Sequence, residues 1–98
     1  MEKNNDLALF ASSVCKKGHH KSGECIPEHI ELGATYDFLK KGHRTYEVPG
    51  EVTLLEMQPD EVLFDIRARV EITDVSYEIE EGQSYTKGQY KVLEILRA

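Results

Sequence analysis

The stretch VLFDIRARVEI, residues 62–72, decides the fold, because apolar residues alternate strictly with mostly charged ones along it. A period of two places the two sets of side chains on opposite faces of a strand. An amphipathic helix would instead require apolar residues at spacings of three and four. The stretch therefore predicts a half-buried strand, long enough to bend and to serve two surfaces of a barrel.

The alternation continues after this strand, but one residue out of phase. Residues 75–79 form the next series, so a bulge or tight bend near residues 73–74 is needed to keep the apolar set on the inner face. Residues 80–83 have the composition of a turn. Residues 89–96 then predict a strand that pairs with 75–79, with Gly88 as a bend before it.

Three further segments upstream predict short strands, at residues 34–39, 44–48 and 51–57. The first two would form a hairpin around residues 40–43, in which Gly42 is free to take a positive φ. The third begins after a Pro-Gly pair and ends before a second proline, and both flanks are turn chemistry. Together with the C-terminal half, these segments give five or six short strands.

The N-terminal residues 5–15 fit two structures equally. Apolar residues spaced three and four apart from Leu7 onward share a helical face, whereas Leu7, Leu9 and Ala11 alternate as in a strand. The chain as a whole predicts a single mainly β domain spanning residues 1–98: a small antiparallel barrel or strongly curved sheet of five to six strands, with one short N-terminal helix as an option. An open sheet packed on an N-terminal helix is the second interpretation.

Composition and charge are those of an acidic globular domain. Of its 98 residues, 40% are hydrophobic and 31% are charged, and the net charge is −6. Residues 1–45 carry +1 and residues 46–98 carry −7, which counts against a nucleic-acid partner because such binding depends on neutralising phosphates. The chain lacks a long apolar run and a basic, signal-like N-terminus, so we expect a cytoplasmic protein with no membrane partner.

One cluster contains the residue types that bind zinc: Cys15, His19, His20, Cys25 and His29. Four of these side chains could close a tetrahedral site, so zinc is the cofactor that this cluster would hold. The spacing lacks the Cys-x2-Cys pair of common zinc modules. In a cytoplasmic protein both cysteines should be reduced, and two alternatives stay open: thiols flanking a basic loop, or a dithiol pair.

A second cluster combines basic and aromatic residues on the predicted hairpin. Its members are Tyr36, Lys40, Lys41, His43, Arg44 and Tyr46. On a small barrel, such groups grip single-stranded nucleic acid through base stacking and phosphate contacts. The alternative is an edge hairpin that its lysines protect from aggregation.

Residues 67–75, a strand followed by a bend and an acidic continuation, resemble the central strands of PUA-like and ASCH-type barrels. The resemblance implies a PUA-like or OB-like barrel that binds RNA or modified nucleotides. The chain contains no Gly-Lys-Glu signature of the ASCH type, and a likeness of fold does not establish a function.

The sequence favours a noncatalytic binding or interaction module. It contains no nucleophile motif, no Gly-rich phosphate loop and no paired-carboxylate signature. A zinc-binding domain built on residues 15–29 and a nucleic-acid-binding barrel are the alternatives, followed by a small enzyme that uses His29 and Glu31. A barrel of this size could also pair its sheet edges into a homodimer.

Overall fold

The computed structural model describes residues 5–15, 23–57 and 64–96. The strands are β1 (Asp6–Phe10), β2 (Thr35–Lys41), β3 (Gly50–Met57), β4 (Phe64–Glu80) and β5 (Gln83–Ile95), and one helical turn, α1 (Ser12–Cys15), follows β1. They form one sheet in the order β1-β3-β4-β5-β2, which curves into a half-barrel. The mainly β fold expected from the sequence is confirmed. No helix among the described residues is long and apolar enough to cross a membrane.

The hairpin of β4 and β5 organises the sheet. Its two-residue turn has positive φ at both Glu81 and Gly82, the backbone that matches the twist of the flanking strands. The register shifts at residues 72–74, where the sequence predicted a bulge. The pairing of the two strands is also as predicted, but in a different register, since residues 75–79 face residues 84–88.

The sheet curves where β5 passes the bulge of β4. A Cβ at Gly88 would lie 1.9 Å from the Asp74 carbonyl oxygen and 2.9 Å from the Phe38 ring, so only glycine fits this close approach. β3 pairs with residues 64–72 of β4, whereas β2 pairs with residues 85–91 of β5. The two neighbours are therefore offset along the hairpin.

Two parts of the upstream chain differ from the prediction. Residues 44–48, expected to be a strand, form part of the loop between β2 and β3, because β2 finds its antiparallel partner in β5 instead. β1 runs parallel to β3, so the sheet is mixed. The N-terminal segment contains both structures that its pattern allowed, a strand and then a helical turn.

Residues 23–26 close the gap between the edge strands β1 and β2. The Ile26 N–H donates to the Phe10 carbonyl oxygen at 2.9 Å, and the Leu39 N–H donates to the Gly23 carbonyl oxygen at 2.9 Å. This short segment therefore bonds to β1 on one side and to β2 on the other. The half-barrel is sealed here by irregular chain rather than by a direct ladder between the two strands.

The apolar core fills the inner face of the sheet. Its buried members are Leu7, Leu9, Ile26, Phe38, Tyr46, Val52, Leu54, Ala68, Val70, Ile72, Tyr90 and Val92. On the opposite face, charged side chains pair across strands, as between Arg67 and Glu56 at 2.7 Å. The alternation seen in the sequence thus separates core from surface along the central part of β4.

Candidate binding site at the open edge of β4

The two cysteines of the predicted zinc cluster are joined to each other. Cys15 is the last residue of α1, and Cys25 forms an isolated parallel β-bridge with Phe10. The sulfur atoms of the two cysteines form a disulfide, with their Cα atoms 6.2 Å apart. The expectation of reduced thiols is therefore not met in the structure. The disulfide fastens the closing segment, residues 23–26, to the end of α1.

Zinc binding stays a prediction. His19 and His20 lie outside the described residues, and His29 uses its backbone carbonyl oxygen to accept a hydrogen bond from the Tyr36 hydroxyl at 3.3 Å. Within the described ranges, no three His, Cys, Asp or Glu side chains are grouped as metal ligands. A sulfur atom binds zinc as a thiolate, so the disulfide and a site using both thiolates exclude each other.

We expect untagged protein purified in air to contain no free thiol and no stoichiometric zinc. Cys25→Ser should lose about 2–3 kcal/mol of unfolding free energy, because the cross-link closes a short loop between residues ten apart. Thiol titration in denaturant, elemental analysis and urea unfolding measure the three quantities. Reduced wild type is the control and should match the variant. Two free thiols with one zinc per chain would contradict the disulfide.

Both tyrosines of the second cluster, which combines basic and aromatic residues, form hydrogen bonds within the domain. Tyr46 is 8% exposed and its hydroxyl donates to the Asp6 carbonyl oxygen at 3.0 Å. Burial raises the pKa of Tyr46 to about 12. The hydroxyl of half-buried Tyr36 accepts a hydrogen bond from the Glu31 N–H at 3.0 Å. Tyr46 belongs to the apolar core, and Tyr36 packs against it.

The basic members of the cluster are also divided. The Lys40 ammonium donates to the Ala8 carbonyl oxygen across the gap between β2 and β1. Lys41 and His43 are exposed, and Arg44 is half-buried. The Arg44 N–H donates to the Thr86 hydroxyl at 2.8 Å, which holds the loop after β2 against β5.

Tyr77, which the sequence assigned to a strand face and not to a site, is the centre of an exposed aromatic surface. Its ring stacks on His43 with 4.3 Å between ring centroids, and its hydroxyl donates to the Arg44 carbonyl oxygen at 2.9 Å. Tyr77 is 48% exposed and Ile79 is 75% exposed. We call the adjoining pocket of 390 Å³ the tyrosine notch; its lining residues are His43, Tyr77, Glu78, Ile79, Ser84 and Tyr85.

Among the residues that the structure describes, residues 73–80 of β4 have a neighbouring strand on one side only. The ladder with β3 ends at the pair of Gly50 and Ile72, whereas the ladder with β5 continues to Glu80. No other described strand pairs with residues 73–80. We call the side of β4 that faces away from β5 along these residues the open edge.

Hydrogen bonds on β5 show which backbone groups face the open edge. The Ser84 carbonyl oxygen accepts from the Gly42 N–H at 2.8 Å, so it points away from β4. The opposite residue, Ile79, therefore belongs to a non-hydrogen-bonded pair and directs its own N–H and C=O away from β5. By the two-residue period, Tyr77 and Val75 do the same, and these three residues form no other backbone hydrogen bond within the described chain.

The outer face beside the open edge carries a polar groove. Glu78 pairs with Lys87 at 3.0 Å between Oε2 and Nζ, and the Gln89 amide donates to Asp37 at 3.1 Å. We call this space of 620 Å³ the acidic groove; it is lined by Asp37, Phe38, Leu39, Asp74, Ser76, Glu78, Lys87, Gly88 and Gln89. Its lining contains three carboxylates and one ammonium group.

The open edge thus lies between an aromatic notch and an acidic groove. Free backbone donors and acceptors, apolar surface and fixed charge in one place are the components of peptide recognition by strand pairing. No protein-family model, curated protein or solved structure was found to match the chain.

Proposed function

We propose that this domain is a noncatalytic binding module that captures an extended polypeptide segment along the open edge of β4. The observation that carries the proposal is that the backbone groups of Val75, Tyr77 and Ile79 facing away from β5 have no hydrogen-bond partner among the described residues. A segment in the extended conformation can bond to these groups as an added strand, and its side chains then supply specificity. The rest of the half-barrel holds the edge in place, because β5 fixes the opposite side of β4.

The side chains of the open edge favour a role in binding a partner strand over that of an edge that is simply exposed to solvent. Proteins commonly protect free strand edges with lysine, proline or a covering loop. Residues 73–80 contain neither lysine nor proline, and their charged residues, Asp74, Glu78 and Glu80, share the outer face. The other face presents Tyr77 and Ile79 to solvent beside the tyrosine notch. Exposed aromatic and apolar groups next to free backbone donors are the features of an edge that receives a partner.

A nucleic-acid partner has less support. Tyr36 and Tyr46 engage backbone groups of the domain itself, and Lys40 bonds to β1. The half of the chain that contains the open edge carries −7, which repels phosphates. A polypeptide accepts backbone hydrogen bonds from the edge without requiring positive charge there.

Amide exchange tests the proposal directly. A random 12-residue peptide library displayed on phage is selected against the domain, and the exchange of each amide proton is followed by NMR with and without the selected peptide. In the free domain, we expect fast exchange at Tyr77 and Ile79 and slow exchange at Ser76 and Glu78, which bond to β5. The peptide should slow exchange at Tyr77 and Ile79 by at least tenfold.

Ile79→Pro is the matching variant, because it deletes an N–H that faces the open edge and leaves the ladder with β5 intact. We expect at least tenfold weaker binding of the selected peptide. Ile79→Thr is the control, since it keeps the N–H and the β-branched shape; urea unfolding checks that both variants fold. Equal binding of the selected peptide by Ile79→Pro and wild type would refute strand addition.

A further inference from the structure

A strand added at the open edge would alternate its side chains between two different surfaces. Opposite residues of neighbouring strands lie on the same face, so partner residues beside Tyr77 and Ile79 would meet the tyrosine notch. Partner residues beside Ser76 and Glu78 would lie on the outer face, next to the acidic groove. The two surfaces differ in chemistry, and the partner's sequence is therefore constrained at every second position.

The outer face of the open edge is negatively charged. Asp74, Glu78 and Glu80 share this face of β4, and Asp37 lies across the groove on β2. The cation among the residues that line the groove is Lys87, which pairs with Glu78. A partner with lysine or arginine at its outward positions would relieve this excess of negative charge, whereas one with carboxylates there would increase it.

A second copy of the chain is a poor occupant of the same edge. In a two-fold antiparallel pair centred on Tyr77, Asp74 would face Glu80 of the partner; centred on Ser76 it would face Glu78. Centred on Glu78, that residue would face its own copy. The registers centred on Ser76, Tyr77 or Glu78 therefore oppose carboxylates directly, which destabilises a strand pair. A register centred on Val75 avoids this by pairing Asp74 with Ser76, but it uses only residues 73–77 of the open edge.

Given the strand addition proposed above, on which this inference rests, we infer that the segment bound at the open edge alternates apolar with basic residues. The apolar or aromatic side chains enter the tyrosine notch beside Tyr77 and Ile79. Lysine or arginine side chains lie over the acidic groove beside Asp74 and Glu78. The partner is thus a protein or peptide with an extended, cationic segment of amphipathic period two.

Three fluorescent ten-residue peptides test this chemistry. The first alternates lysine with valine and isoleucine, the second carries glutamate in place of each lysine, and the third has the composition of the first in two blocks. We expect fluorescence anisotropy to show at least tenfold tighter binding of the first peptide than of either other. Raising the salt from 20 to 200 mM should weaken its binding severalfold, about as expected for a few screened charge contacts.

Paired variants locate the charge effect. Asp74→Asn with Glu78→Gln should weaken the lysine peptide severalfold and strengthen the glutamate peptide. Glu31→Gln with Glu94→Gln removes the same charge away from the open edge and should change neither by more than about twofold. Equal effects of the two pairs would refute a role for the acidic groove.

The outcomes separate this inference from the proposed function. If Ile79→Pro abolishes peptide binding but the lysine and glutamate peptides bind equally, strand addition stands and the basic partner is wrong. If Ile79→Pro has no effect on any peptide, the proposed function itself fails. Concentration-dependent dimers in analytical ultracentrifugation that Ile79→Pro abolishes would make a second copy the occupant instead.

Discussion

Gly88→Ala should destabilise the domain by more than about 3 kcal/mol, because the new Cβ would be placed in the backbone of the neighbouring strand. A Cβ at residue 88 would lie 1.9 Å from the Asp74 carbonyl oxygen and 2.8 Å from its carbonyl carbon. The ring of Phe38, a core residue that is 1% exposed, would lie 2.9 Å from the same Cβ. Neither neighbour can move without disturbing the bulge of β4 or the core.

Gly82→Ala is the matched control for this prediction. Gly82 lies in the hairpin turn with a φ of +80°, and a Cβ there meets no atom within 4 Å. The substitution should therefore cost only the strain of a left-handed alanine, about 1–2 kcal/mol. Urea unfolding of both variants measures the difference, and equal destabilisation would show that the strands can separate at Gly88.

The substitution Gly88→Ala should also disturb the open edge of β4. The close approach of β5 to Asp74 lies at the bulge, immediately before the open edge begins. A Gly88→Ala domain that still folds should therefore show altered amide exchange at Val75 and Tyr77 in its free state. The same bend that shapes the half-barrel would thus position the edge that receives the partner.

Local patterns predicted the β4–β5 hairpin because its information is local. The alternation over residues 62–72, the change of phase near residues 73–74 and the turn at residues 80–83 each occupy a few consecutive residues. Each follows from where a side chain must point on a pleated strand. The structure has the bulge and the turn at the predicted places.

Partner choice between strands could not be predicted in the same way. Residues 44–48 have a strand-like composition, but the neighbour that would make them a hairpin is taken by β5. The parallel pairing of β1 with β3 joins residues 47 positions apart, such as Asp6 and Thr53, and no local pattern encodes such a contact. The cysteine pair likewise depends on how residues 23–26 close the half-barrel.

The candidate site was missed for a related reason. Tyr77 and Ile79 continue the apolar alternation, so the sequence places them on the inner face with the core. They are exposed because the ladder with β3 stops at Ile72, and the length of a neighbouring strand is not written in their own pattern. By contrast, the conspicuous Tyr46 is buried. Conspicuous chemistry in the sequence was therefore a weaker guide than the offset between strands.

Tyr90 should show opposite responses to two substitutions. Its ring is fully buried among core residues, 5.8 Å from the Tyr36 ring and 6.4 Å from the Phe38 ring between centroids. Tyr90→Ala removes this packing and should cost about 3–5 kcal/mol of unfolding free energy. The hydroxyl, however, has no hydrogen-bond partner in the described structure, so Tyr90→Phe should be neutral or stabilising by up to about 1 kcal/mol.

Alkaline pH gives Tyr90 a second, independent signature. Burial raises its pKa above the ordinary value of 10.0, so the folded domain retains this proton while the unfolded chain releases it. The contribution of Tyr90 to the free energy of unfolding is fully present below about pH 10. It is lost as the pH rises toward and through the folded pKa, by about 1.4 kcal/mol per pH unit. Urea unfolding between pH 9 and 11 should show a shallower fall for Tyr90→Phe than for wild type.

Tyr46→Phe separates the effect of burial from that of hydrogen bonding. Burial raises the pKa of Tyr46 in the same direction, to about 12, so its variant should also flatten the alkaline fall. At neutral pH, however, Tyr46→Phe loses the hydrogen bond to the Asp6 carbonyl oxygen and should be less stable by about 1 kcal/mol. If Tyr90→Phe instead loses about as much stability as Tyr46→Phe, then the Tyr90 hydroxyl of the wild type has a hydrogen-bond partner inside the half-barrel. The core would then contain a polar group in addition to its apolar side chains.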